Sequence, residues 1–174
     1  MQCPSAGLRQ LLRVCLLAAC TGWGMGCSTS TYDNLSYTFA AFQYADRELI
    51  GGSLSRTLLD HEGNRAICVR TVPIITSHNI VGGEVVEHED GTHAVKLMLD
   101  RIGQDVWLQA CHQLGGRRLA ITIDGFFLFN MTVPHRPPSY ETILVEGPWE
   151  EAQARGVVAH AAQNFEILNP NTGM

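Results

Sequence analysis

Gly115-Gly116-Arg117-Arg118-Leu119-Ala120-Ile121-Thr122-Ile123-Asp124-Gly125-Phe126-Phe127-Leu128-Phe129-Asn130 is the stretch on which the fold turns. Two β-prone runs, Leu119–Ile123 and Phe126–Phe129, flank Asp124-Gly125. A tight type I′ turn needs positive φ at both central residues, and Asp-Gly supplies it. Immediately upstream, Gln104–Leu114 predicts a helix. Val106, Trp107, Ala110, Cys111 and Leu114 fall on one apolar face at helical spacing. Gly115-Gly116 would end it, because glycine accepts the left-handed cap conformation. A helix feeding an apolar hairpin is the nucleus of an α+β layer.

Working outward, Leu35–Ala45 is aromatic-rich and reads as a strand. Asp46–Asp60 is broken by Gly51-Gly52-Ser53 and reads as a loop. Arg65–Val72 alternates as a strand. Thr76 or Ser77 is placed to cap a short helical turn that Gly82-Gly83 would end. Val85–His88 and His93–Leu99 form a second hairpin around Asp90-Gly91. Val133–Ser139 holds three prolines, which cannot donate to a ladder, so it is an exposed stiff loop. Thr142–Val145 is a short strand and Glu150–Gln163 a helix with acids in its first turn. Phe165–Leu168 reads as an edge strand. The order predicts an α+β fold, one mainly antiparallel sheet with helices on one face.

Composition narrows the function. The chain has 174 residues and a net charge of −5, and Arg117-Arg118 is its one adjacent basic pair. A nucleic-acid partner wants a basic face, so none is expected. At the N-terminus, Arg9 and Arg13 accompany the short apolar stretch Leu11–Cys20, and no acid precedes Asp33. This is the outline of an export signal. It is shorter than the roughly 20 unbroken apolar residues of a spanning helix. Leu17-Ala18-Ala19-Cys20 resembles the lipobox of bacterial lipoproteins, in which the cysteine after the cut is acylated. Cys27, after Gly24-Met25-Gly26, is the alternative. Removing residues 1–19 takes two arginines and no acid, moving the net charge from −5 to −7. The expected organisation is a signal peptide over 1–19, a lipid-anchored tether over 20–34, a domain over 35–168 and a tail over 169–174. Cys68 and Cys111 read as small buried residues of the domain.

Reaction chemistry is sparse. His88-Glu89-Asp90-Gly91-Thr92-His93 offers imidazole and carboxylate ligands. A small hydrolase or metal-dependent enzyme using His88 and His93 is therefore the alternative function, yet Asp-Gly already has a turn-forming reason there. Cys111 and His112 are adjacent on a helix and point apart. No nucleophile elbow, phosphate loop or dinucleotide fingerprint is present. No catalytic residue, metal or cofactor is assigned. The unbroken run Phe126–Phe129 has two readings: a strand covered on both faces, or an exposed apolar surface for a partner. On the second reading Phe127 and Phe129, with Pro137 and Pro138 of the neighbouring loop, are the expected protein-binding residues.

With these segments placed, the chain resembles the head subdomain of the first periplasmic domain of SecD, an accessory subunit of bacterial protein export. The resemblance runs over residues 65–163. It is carried by Pro73-Ile74-Ile75-Thr76, Ile80, Val95–Leu99, Gly103, Gly116–Ile121, Asp124-Gly125, Gly147, Trp149 and Gln153-Ala154. Met131 stands where the family usually has proline, Cys111 where it often has threonine, and the Pro134–Tyr140 loop is longer. The resemblance implies a SecD-head-like α+β fold and a non-catalytic module of the cell envelope that contacts protein or peptide. A structural lipoprotein without a ligand is the third expectation.

Overall fold

The structure is a computed structural model and describes residues 34–46 and 52–170. Its strands are β1 (Phe39–Gln43), β2 (Ser55–Leu59), β3 (Ala66–Arg70), β4 (Ile75–Thr76), β5 (Ile80–Glu87), β6 (His93–Leu99), β7 (Arg118–Ile123), β8 (Phe126–Thr132) and β9 (Thr142–Glu146). Its helices are α1 (Arg101–Leu114) and α2 (Glu151–Leu168). The fold is α+β with antiparallel ladders, as the sequence predicts. The strands divide into three sheets rather than one. A four-stranded sheet runs β4-β1-β7-β8, a three-stranded sheet β5-β6-β9, and β2 pairs with β3 alone.

The central hairpin forms as its sequence dictates. Asp124 and Gly125 hold φ of 50° and 84°. The Asp124 side chain adds a long-range fastening. Its carboxylate accepts from the Thr38 N–H at 2.7 Å and the Tyr37 N–H at 3.2 Å, which ties the entrance of β1 to the turn. Tyr37 itself sits at positive φ. Its ring stacks on His160 of α2 and lies so close over Gly156 that no Cβ fits there. Asn164 donates to the Ser36 carbonyl at 2.7 Å. The segment leading into β1 is thereby clamped to α2.

One face of the four-stranded sheet packs into the main core. Phe39, Ala41, Leu119, Ile121, Phe129 and Met131 meet Val95, Leu97, Ile143 and Val145 of the three-stranded sheet, with Trp107 of α1 and Val157 of α2. The opposite face carries Phe42, Ala120 and Phe127, covered by Leu58, Ile67 and Val69 of the β2–β3 hairpin. Arg56 and Arg65 place their guanidinium groups 4.3 Å and 5.1 Å from the rings of Phe42 and Phe127. The unbroken Phe126–Phe129 run is thus explained by cover on both faces. A bulge makes the arrangement possible. Ile121 pairs with Phe129 and Thr122 with Phe127, leaving Leu128 unpaired. Residues at i and i+2 share a face in a regular strand, and the extra residue sends Phe127 and Phe129 to opposite cores.

Several boundaries differ from expectation. Asp46–Asp60 was expected as loop, yet Ser55–Leu59 is a strand, stabilised by its partner β3 and by burial of Leu58. Gly82-Gly83 does not end the short turn at Ser77–Asn79. Both glycines lie inside β5, where Gly83 rests against the Lys96 carbonyl and Val158 of α2. α1 begins at Arg101 because the Asp100 side chain accepts from the Gly103 N–H at 2.7 Å. Phe165–Leu168 is not an edge strand but the last turn of α2, where Asn169 returns to the Phe165 carbonyl.

Cys68 is half-buried and Cys111 buried, both as free thiols. Desolvation raises the Cys111 thiol from 9.0 to about 11. Thiolate is the reactive form, so Cys111 is expected to react with a maleimide at neutral pH at least about tenfold more slowly than Cys68. Mass spectrometry of timed samples checks this. The unfolded thiol releases its proton first, so this group's contribution to stability is full below pH 9.0 and declines as pH rises toward about 11.

Candidate binding groove

The Pro-rich loop between β8 and β9 closes one side of a groove of about 460 Å³. Leu144 contributes the exposed apolar surface, Pro134, Pro137 and Pro138 form the loop wall, and Met131 and Trp107 lie beneath as buried core residues. Lys96, Leu144 and Glu146 belong to the outer face of the three-stranded sheet. The loop is held by its root. His135 packs against Gly115 and Gly116 so tightly that no Cβ fits on Gly115, and Gly116 has φ of 78°. The two glycines therefore end α1 and also seat the loop.

Both bordering strands are sheet edges. Leu99 donates to the Glu141 carbonyl at 2.9 Å, which fixes the β6–β9 register. Alternation then points Ile143 and Val145 at β6 and leaves Thr142, Leu144 and Glu146 with main-chain groups facing outward. On β8, Val133 donates to the Arg117 carbonyl at 2.9 Å, so Met131 faces β7 while Asn130 and Thr132 face away. At its far end β8 is covered by a bridge between Asp60 and Phe127. The free portions of both edges border the same groove.

Two polar details matter. Trp107 is 1% exposed and its buried Nε1–H has no acceptor among the described residues. Trp149, by contrast, donates its Nε1–H to the Val145 carbonyl at 2.9 Å. Lys96 pairs with Glu84 at 2.7 Å. Glu146 makes no ion pair among the described residues.

Of the residues expected to meet a partner, Pro137 and Pro138 line the groove. Phe127 and Phe129 are 3% and 7% exposed and belong to the two cores, so neither presents a surface. Phe126, on the turn, is the exposed member of the run and packs edge-on to His61. The alternating edge of β9 was not recognised as a site. Its signal was the Thr-Ile-Leu-Val-Glu pattern, whose outward Leu144 is exposed.

The His88/His93 turn is dispersed. His93 pairs with Glu87 at the end of the β5–β6 ladder, and His88 is exposed beyond it. Asp90 accepts from the Thr92 hydroxyl and N–H, and these bonds lower its pKa. No group of three or more metal-ligating side chains is assembled among the described residues. Cys20 and Cys27 lie outside the described residues.

No protein-family model matches the chain, and no curated protein sequence matches it. Solved structures do. The chain is similar to a structure of SecDF, described as a membrane component that enhances protein export, with a TM-score of 0.52 and 13% identity, covering 93% of this chain and 71% of that one. A SecDF structure in a super-membrane-facing form gives 0.45 and 15% identity, over 76% of this chain and 18% of that one. SecDF from Thermus thermophilus, a translocon-associated membrane protein, gives 0.38 and 13%, over 90% and 34%. Among the described residues no helix is long and apolar enough to cross a membrane. The likeness at the first of these structures is one of fold, and at that level the chain is SecD-like.

Proposed function

We propose that this chain is a non-catalytic, lipid-anchored module of the cell envelope that binds a protein or peptide in the groove beside the Pro-rich loop. The observation that carries this reading is the groove itself, in which exposed Leu144 faces a wall of Pro137 and Pro138. Such a concave, mainly apolar surface with few polar groups suits binding. The SecDF fold supports a setting in protein export, since the similar structure is described as enhancing it. Acylation of Cys20 would hold the module at the membrane.

A photo-crosslinking side chain placed at Pro138 in living cells is expected to capture polypeptide. The same side chain at Arg56, exposed on the β2–β3 hairpin, is expected to capture none. Equal capture from both positions, or none from either, removes the groove as the binding surface. None from either leaves a structural lipoprotein. Radiolabelled palmitate is expected to enter the wild-type chain and to be lost in Cys20→Ala. Loss in Cys27→Ala with retention in Cys20→Ala moves the anchor to Cys27.

A further inference from the structure

Among the described residues, a regularly spaced row of main-chain groups without ladder partners borders the groove. Thr142, Leu144 and Glu146 line it, and these are the β9 residues whose N–H and C=O point away from β6. Such groups recur every second residue, about 6.8 Å apart along a strand. A compact ligand meets one pair, whereas an extended main chain meets the whole row. The loop opposite cannot satisfy them with its prolines, because Pro134, Pro137 and Pro138 carry no N–H. The β9 edge also has no proline or lysine of its own to blunt it. Leu144 is 43% exposed.

We propose that the occupant of the groove is an extended polypeptide segment that adds to the free edge of β9 as a further strand. This rests on the protein-binding reading above and specifies its chemistry. β9 has five residues, so the added segment spans about five. Its main chain pairs with Thr142, Leu144 and Glu146. Side chains on one face of the segment, apolar or β-branched, rest against Leu144 and the wall of Pro137 and Pro138, and those on the other remain in solvent. Glu146, which has no ion pair among the described residues, favours a lysine or arginine at the adjoining end of the segment. Main-chain pairing of this kind tolerates many sequences, with selectivity left to the alternate side chains.

The probe is the blocked peptide Lys-Val-Thr-Val-Thr-Val, titrated into the full isotope-labelled chain. It is expected to shift the amide resonances of Thr142, Leu144 and Glu146 and to slow their hydrogen exchange at least about tenfold. Two further peptides carry N-methyl groups on the valines or on the threonines. A strand shows β9 only one edge, so one methylated peptide is expected to bind like the parent and the other at least about tenfold more weakly. Leu144→Pro removes an N–H that the ladder does not use and is expected to weaken the parent peptide comparably. If that variant fails to fold, the methylated pair still decides.

Equal binding by all three peptides overturns strand addition and leaves a side-chain pocket. Protection of the three amides that rises with protein concentration, without peptide, assigns the edge to a second copy and also overturns it. Absence of peptide binding, with capture from Pro138 intact, overturns the strand alone. Absence of both overturns the protein-binding reading with it.

Discussion

Phe129→Asp is expected to leave no folded protein, while Phe127→Asp is expected to release one hairpin and spare the rest. The two side chains are two residues apart and both are buried. Phe129 stands in the main core, edge-on to Trp149 with ring centroids 5.1 Å apart. Truncating a buried phenylalanine costs about 3–5 kcal/mol. Placing an unpaired carboxyl group in that space costs a further ~2 kcal/mol or more, even if it takes up a proton. A small domain has about 5–15 kcal/mol in total. Phe127 belongs to the smaller cluster beneath the β2–β3 hairpin. A carboxylate there has the Arg65 guanidinium at hand. Release of the hairpin lets water reach it without opening the main core. The expected signature is loss of amide protection over Ser55–Arg70 with protection kept at Leu97, Leu119 and Val145. Global unfolding of Phe127→Asp would show that the two clusters form one cooperative unit.

Gly147→Ala is the second large effect expected. A Cβ there would come within 2.7 Å of three atoms of the Phe129 ring, well inside van der Waals contact. The ring has no free direction: it is buried and packs edge-on to Trp149, whose indole N–H is fixed to the Val145 carbonyl. Overpacking of this kind costs about 1–3 kcal/mol, and a ring that cannot turn belongs at the upper end. The double variant Gly147→Ala with Phe129→Leu should recover part of the loss, because the smaller side chain vacates the contested space. A double-mutant cycle by urea unfolding is expected to give a coupling of at least ~1 kcal/mol between the two sites. Purely additive losses would mean that the backbone, rather than the ring, gives way.

The contrast between residues 115–130 and 46–60 shows what local sequence can and cannot say. Asp124-Gly125 specifies its turn through φ alone, and helix α1 declares itself through apolar spacing. Both are legible because their causes lie within a few residues. Ser55–Leu59 is different. Its pattern buries only Leu58 deeply, and its stability comes from β3 and from the underside of a sheet built by β1, β7 and β8. Gly82-Gly83 reads as punctuation, yet a Cβ on Gly83 would lie 2.9 Å from the Lys96 carbonyl of the neighbouring strand β6. Phe165–Leu168 has strand-like residues but continues a helix already nucleated, for which each further residue gains a hydrogen bond. At the groove, Pro137 and Pro138 were visible because proline excludes them from a ladder. The free edge of β9 was not, because edge or centre is a property of the assembled sheet. The same holds for Phe127 and Phe129, whose separation depends on a one-residue bulge.

The clamp on the segment preceding β1 gains meaning if the chain is tethered through Cys20. Residues 20–34 reach at most about 50 Å when fully extended. Any mechanical load on that tether enters the domain at Tyr37, held over Gly156 and His160, and at Thr38, held by Asp124. It then runs along β1, whose residues Phe39–Gln43 all pair with β7. Pulled along its axis from this end, β1 is loaded in shear, so its ladder must yield together rather than unzip pair by pair. A tether joined at this point would load a central strand, which would suit the domain to hold a partner under tension without being unravelled from that end.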